Sequence, residues 1–217
     1  NIKSVRNMKE LDLLKKDWKK NENSFEQISE TEIYQMIHKK SSSIVKWILI
    51  ISILEVILWT AISVFFNTDE YLEQINHTDF IPYFKVLTVF NYGVILAFIY
   101  LFYKNYIKIS TTVSTKQLMI DILKTRKMVQ YYVWYNLGMA VLSLIIGFFI
   151  ALVYSPETSI LSDQIANNGK VMAITIGVLI LTTVAFFGLF WLFYRLLYGI
   201  LLRRLYNNYK ELKKIDL

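Results

Sequence analysis

IVKWILIISILEVILWTAISVFF, residues 44–66, decides the fold. It is 23 residues long, and between Trp47 and Phe66 its only charged group is Glu55. A bilayer core about 30 Å thick takes roughly 20 residues of helix, so this run is long enough to cross it. Three more runs of that kind follow, at about 82–103, 133–154 and 171–194. They are continuous rather than alternating, which excludes the strands of an outer-membrane barrel. The first begins after 43 mostly polar residues, and no small-residue cleavage site follows a short apolar core, so it is not a signal peptide by pattern. The expected fold is all-α: a polytopic membrane protein with four transmembrane helices. Its parts are a cytoplasmic amphipathic segment at 1–43, a four-helix transmembrane domain at 44–198 and a basic cytoplasmic tail at 199–217.

The composition agrees. Hydrophobic residues make up 55% of the chain, charged ones only 19%, and the mean hydropathy is +0.39. Soluble domains carry about 25% charged residues. There is no cysteine, which excludes disulfides, thiolate metal sites and cysteine nucleophiles. The net charge of +7 could point to nucleic acid, but its distribution does not. Of 24 Lys and Arg residues, 21 lie in residues 1–43, 104–132 and 195–217. Residues 67–81 carry none, and residues 155–170 carry only Lys170. Basic loops stay cytoplasmic, so both termini and the middle loop are expected inside, in a bacterial inner membrane. No basic-aromatic recognition module supports nucleic-acid binding. Trp47, Tyr103, Tyr131, Tyr132, Trp134, Tyr135, Tyr194 and Tyr198 fall near the inner boundary, where aromatic rings suit the headgroup region.

Outside the spans, Leu11, Leu14 and Trp18 recur at helical spacing among lysines. A second helix opens on Ser29 and Glu32 at capping-box spacing and carries Ile33 and Ile37. Ser114 and Gln117 repeat that spacing, so the third span is expected to start inside the cytoplasm, and the tail to extend the fourth. Asp79 is placed to cap the second span's helix, with Pro82 in its first turn. Leu11, Leu14, Trp18, Ile33 and Ile37 are the expected docking stripe, toward a cytoplasmic protein partner or the inner leaflet.

Counting from the span ends, Glu55 is the middle of the first span. Asn91, Ser143, Thr182 and Thr183 are near the middles of the others. These five are the expected mid-membrane polar cluster. Asn91 is the first-choice partner of Glu55, then Ser143 and the two threonines. An ionisable group at that depth is either part of a proton or cation path or a hydrogen-bonding strut between helices, for which the neutral acid is expected. Ser143, Gly147 and Ala151, with Ala173 and Gly177, form small-xxx-small ladders that predict close helix packing. No nucleotide-loop, hydrolase-elbow or zinc-protease motif is present. The two histidines, His38 and His77, fall on opposite sides of the membrane by this topology, so they share no metal. Neither cofactor nor metal is expected.

ELDLLKKDWKKNENSFEQISETEIYQMIHKKSSSIVKWILIISILE, the stretch from residue 10 through Glu55, resembles the opening of a family of uncharacterised multi-span membrane proteins of Bacteroidota. The resemblance implies a start near Met8, with residues 1–7 an upstream extension. Some members are automatically labelled β-carotene monooxygenases. Such enzymes are soluble propellers holding iron with four histidines, and this chain has two histidines, so the label is rejected. For some relatives the resemblance implies work beside sigma factors, in the manner of membrane anti-sigma proteins. The expected function is therefore non-enzymatic: an inner-membrane regulator or accessory subunit acting by protein–protein contact. The alternative is a small oligomeric proton- or cation-coupled transporter or channel using Glu55. A third reading is an enzyme on lipid or isoprenoid.

Overall fold

The structure is a computed structural model that describes residues 15–16, 29–65, 68–74, 77–154, 164–165 and 167–215. The chain divides into two units, residues 1–36 and 37–217. Leu11, Leu14 and Trp18 lie outside the described residues. Helix α1 runs Glu30–Phe65, α2 Thr68–Gln74, α3 Ile81–Thr111, α4 Thr115–Tyr154, α5 Gly169–Tyr194 and α6 Ile200–Ile215. A short 3₁₀ turn, Thr78–Phe80, leads into α3, and a π-turn, Arg195–Gly199, joins α5 to α6. Among the described residues there is no strand. Four helical stretches among them are long and apolar enough to cross a membrane.

Local chemistry explains most of the helix ends. Ser29 Oγ accepts from the Glu32 N–H at 3.2 Å, and the Glu32 carboxylate accepts from the Ser29 N–H at 2.9 Å, which completes the expected capping box. The Ser29 N–H is also the main reason the Glu32 carboxyl is held below its ordinary value. The second expected box does not form in this way. Ser114 stands just before α4, but the Gln117 amide donates instead to the Asp121 carboxylate, one turn further on, at 3.2 Å. Nor does Asp79 cap α3. The capping residue is Phe80, which makes no side-chain cap bond, while Pro82 sits in the first turn as expected. Asn168 caps α5, accepting from the Lys170 N–H at 3.0 Å.

Helix α4 has 40 residues. At 1.5 Å per residue that is about 60 Å, roughly twice a bilayer core, so much of it extends past the membrane-crossing length. In that extension Leu118, Ile122, Thr125, Val129 and Tyr132 are buried at spacings of four and three, with Asp121 buried beside Ile122. The same spacing recurs in α1 at Val45, Ile48, Ser52 and Glu55, in α3 at Phe102, Asn105 and Ile109, and in α6 at Leu205, Asn208 and Leu212. This is the 3.5-residue repeat of helices that pack along narrow seams. Helix α4 is central, packing against α3, α5 and α6. The main apolar cluster joins Ile48, Ile95, Phe102, Val129, Tyr132, Leu137, Tyr194 and Tyr198. A smaller one holds Leu72 and Ile150 with Phe84 and Tyr154 at the other end of the spans.

Polar residues interrupt the seams where they can be satisfied. Asn208 Nδ2 donates to Ser41 Oγ at 3.0 Å, and both residues are buried. Asn105 Nδ2 donates to the Met128 sulfur at 3.3 Å. Thr125 Oγ1 donates to the Asp121 carbonyl at 2.8 Å. Ser41→Ala should destabilise the protein by about 1–3 kcal/mol, because it leaves the Asn208 amide buried without its acceptor. Adding Asn208→Leu should recover most of the loss, as read by thermal unfolding in mild detergent. Equal stability of the three proteins would show that this contact holds nothing.

Candidate functional site

Glu55 lies on the buried seam of α1 and is only 4% exposed. Three tyrosines close on its carboxylate. Tyr132 Oη donates to Oε2 at 2.9 Å, Tyr198 Oη donates to the same oxygen at 3.0 Å, and Tyr194 Oη donates to Oε1. A carboxylate has lone pairs enough for three donors. Tyr132 comes from α4. Tyr194 immediately precedes the π-turn and Tyr198 lies within it, and their rings stack at 6.1 Å. Tyr198 meets Tyr132 edge-on at 5.8 Å, and Phe98 and Phe102 of α3 each meet Tyr132 edge-on at 5.5 Å. The carboxylate is thus reached by hydroxyls and walled by aromatic rings. Helix α1 is held to α4 and to the α5–α6 junction through one side chain.

The π-turn is part of the geometry. It inserts an extra residue in a helix that otherwise runs unbroken from Gly169 to Lys214. Such insertions are uncommon and cluster at functional sites. Here the wide turn follows Tyr194, contains Tyr198 and leads into the seam of α6.

These partners differ from those expected. None of the hydrogen bonds described at Glu55 comes from Asn91, Ser143, Thr182 or Thr183. Asn91 Oδ1 instead accepts from Tyr135 Oη at 3.0 Å. Ser143 is exposed, and Thr182 and Thr183 are half-buried. The polar group nearest Glu55 along α1 that bridges to another helix is Thr60, 3.0 Å from Tyr92 Oη. Counting from span ends misplaced the partners because the helices are not level. Helix α1 ends at Phe65, about 15 Å past Glu55, whereas α4 continues about 33 Å past Tyr132 to Tyr154. The middle of the first apolar run therefore meets the basic end of the third and fourth.

The surroundings mark that level. Arg195 adjoins Tyr194, and Lys104 and Lys127 lie about 3 Å and 8 Å along their helices from Phe102 and Tyr132. Tyr100, Tyr103, Tyr131, Trp134 and Trp191 are all exposed around it. The Arg195 guanidinium sits 4.9 Å from the Trp191 ring centre, and Lys127 Nζ sits 5.7 Å from that of Tyr131.

The other expected residues are dispersed. Ile37 is buried in the chain's own packing, so it is not a free docking anchor, and Ile33 is half-buried. Ser143, Gly147, Ala173 and Gly177 are exposed and Ala151 half-buried, so the ladders do not press on a neighbouring helix of this chain along their length. His77 packs against Tyr154 at 4.4 Å between ring centres. Among the described residues no three acidic or histidine side chains gather as metal ligands do. The tyrosines had a sequence signal that was missed. Tyr194 and Tyr198 are four apart on one helical face, and Glu55 falls in register with Val45, Ile48 and Ser52.

Glu55→Ala should destabilise the protein by about 3 kcal/mol, since it strands buried hydroxyls and opens a cavity. Glu55→Gln, which keeps the shape and one acceptor oxygen, should cost about 1 kcal/mol. Thermal unfolding in detergent reads both, and Glu55→Ala as stable as the native protein would exclude a strut at this position.

The match with known families covers nearly the whole described bundle. Residues 31–217 match a family described as a domain of unknown function, DUF8845. No curated protein and no solved structure matches the chain. The tyrosine-bound Glu55 and, but for Glu30, all four apolar helices lie within the matched residues, and the chain belongs to the DUF8845 family.

Proposed function

We propose that this chain is a non-enzymatic membrane protein that works by protein–protein contact, as a regulator or accessory subunit. In this reading its transmembrane helices carry the contact. The observation that supports it most is how little of the membrane-crossing surface the chain covers for itself. In the most apolar stretch of Gly169–Lys214 no residue is buried within the protein. Leu181 and Val184 are 71% and 61% exposed, in line with the exposed Ala173, Gly177 and Gly188. Side chains added at Gly147, Gly177 or Gly188 would meet nothing within 4 Å. Small residues on a lipid-facing helix let another helix approach closely, and packing of that kind drives association in a bilayer. A second copy or a partner's span fits these faces.

The placement we propose is a bacterial inner membrane with both termini cytoplasmic. The basic residues support it, with 21 of 24 in residues 1–43, 104–132 and 195–217. So does the ring of exposed aromatics around the Glu55 level, which is where an aromatic belt would mark the inner boundary. Glu55 then sits near that boundary and not at mid-bilayer, in the role of a strut between helices. What weighs against a transport path is that both its oxygens are already taken by tyrosines of the same chain. An anti-sigma-like role would use the segment before Glu30 together with the helical bundle that follows.

Gly147→Leu with Gly177→Leu should leave unfolding unchanged, since both sites are open in the single chain. The same pair should abolish the complexes captured when intact membranes are cross-linked. Capture of the same complexes at the same yield would remove the transmembrane faces from the account.

A further inference from the structure

Two cations share one aromatic ring on the basic flank of the bundle. The Arg126 guanidinium lies 4.4 Å from the centre of the Tyr206 ring, and Lys210 Nζ lies 4.9 Å from it. The two distances together bound the separation of the charges at about 9 Å, where like charges still repel. Arg126 comes from α4, and Tyr206 and Lys210 come from α6, so the group exists only when those helices pack. The Tyr209 ring stacks on Tyr206 at 5.8 Å.

Among the described residues no carboxylate comes within ion-pair distance of either cation, and the ion pair that does form, Lys85 with Asp69, involves neither α4 nor α6. Asp121, one turn and a residue before Arg126, is buried and accepts from Gln117. Glu211 is exposed beside Lys210 without pairing to it. Arg203 and Lys213 extend the same stripe of α6 at helical spacing from Tyr206 and Lys210, opposite the seam of Leu205, Asn208 and Leu212. The ring attracts each cation to its face but neutralises neither.

The position selects the kind of anion. Tyr206 is eight residues past Tyr198, about 12 Å along the helix. Side chains lean toward the helix N-terminus, which brings the ring back toward the aromatic belt. With the boundary drawn at that belt, the ring lies in the polar layer, where lipid phosphates are. We propose that Arg126 and Lys210, held together by Tyr206, bind the phosphate-bearing headgroup of an anionic phospholipid.

The test is native mass spectrometry of the full chain in uncharged detergent, titrated with phosphatidylglycerol, with phosphatidylcholine or with inorganic phosphate. Phosphatidylglycerol should bind and phosphatidylcholine should not. Each charge removed should weaken the binding about fivefold, so Lys210→Gln gives about fivefold and Arg126→Gln with Lys210→Gln about 25-fold. Lys46→Gln with Lys124→Gln, on other exposed faces, should leave it within twofold. Lys210 is exposed, so Lys210→Gln alone keeps the packing and the test survives if the double variant fails to fold. Three results would each overturn the proposal: binding of both lipids alike, an equal loss in the Lys46 and Lys124 variant, or displacement of the lipid by millimolar phosphate.

Discussion

One carboxylate in an apolar helix constrains everything around it. Glu55 cannot face lipid without a large cost, so it has to be turned inward and supplied with donors. Three tyrosine hydroxyls supply them, from α4, from the end of α5 and from within the π-turn that follows it. This sets the rotation of α1, because Ser52, Ile48 and Val45 follow Glu55 on the same seam. It also sets the level at which α1 meets α4, and so brings Ser41 to Asn208 further down. Rotation of α1 by one residue would turn Glu55 outward and expose all of these groups together.

The molecule then has two differently built halves. Toward the basic side, narrow seams of Ile, Leu and Val with a few satisfied polar residues hold the helices together. Such seams gain stability from removing apolar surface from water, so they suit helices that have left the bilayer. Toward the other side the helices keep broad exposed faces of Ile, Leu, Val and Phe, with small residues among them. In lipid those faces are at no disadvantage, and only close packing or hydrogen bonds would make them associate. The division matches the proposed role: one half makes the chain rigid, and the other is available to other helices.

Much of the fold was legible in the sequence. Runs of more than 20 apolar residues specify helices that can cross a membrane, and Ser29 with Glu32 specified how one of them begins. The site was legible only in part. Glu55 stands out in any reading because a charge in that setting demands a partner. The identity of the partner did not follow, because it depends on the relative level of the helices, and hydropathy gives each run's length without its offset. Tyr132, Tyr194 and Tyr198 also look like boundary aromatics, and a tyrosine that turns inward has the same sequence signature as one that turns outward. The small-residue ladders had the converse problem. Their spacing predicts contact but not whether the contact is within one chain or between chains.

The central claim is that Glu55 holds α1 against the rest of the bundle. The chain has no cysteine, so spin labels can be placed at Lys46 of α1 and Arg203 of α6, both exposed, without removing any native thiol. The distance between them, measured by pulsed electron resonance, should be single and narrow in the native background. It should broaden in Glu55→Ala and stay narrow in Glu55→Gln. A distribution as narrow in Glu55→Ala as in the native protein would contradict the account.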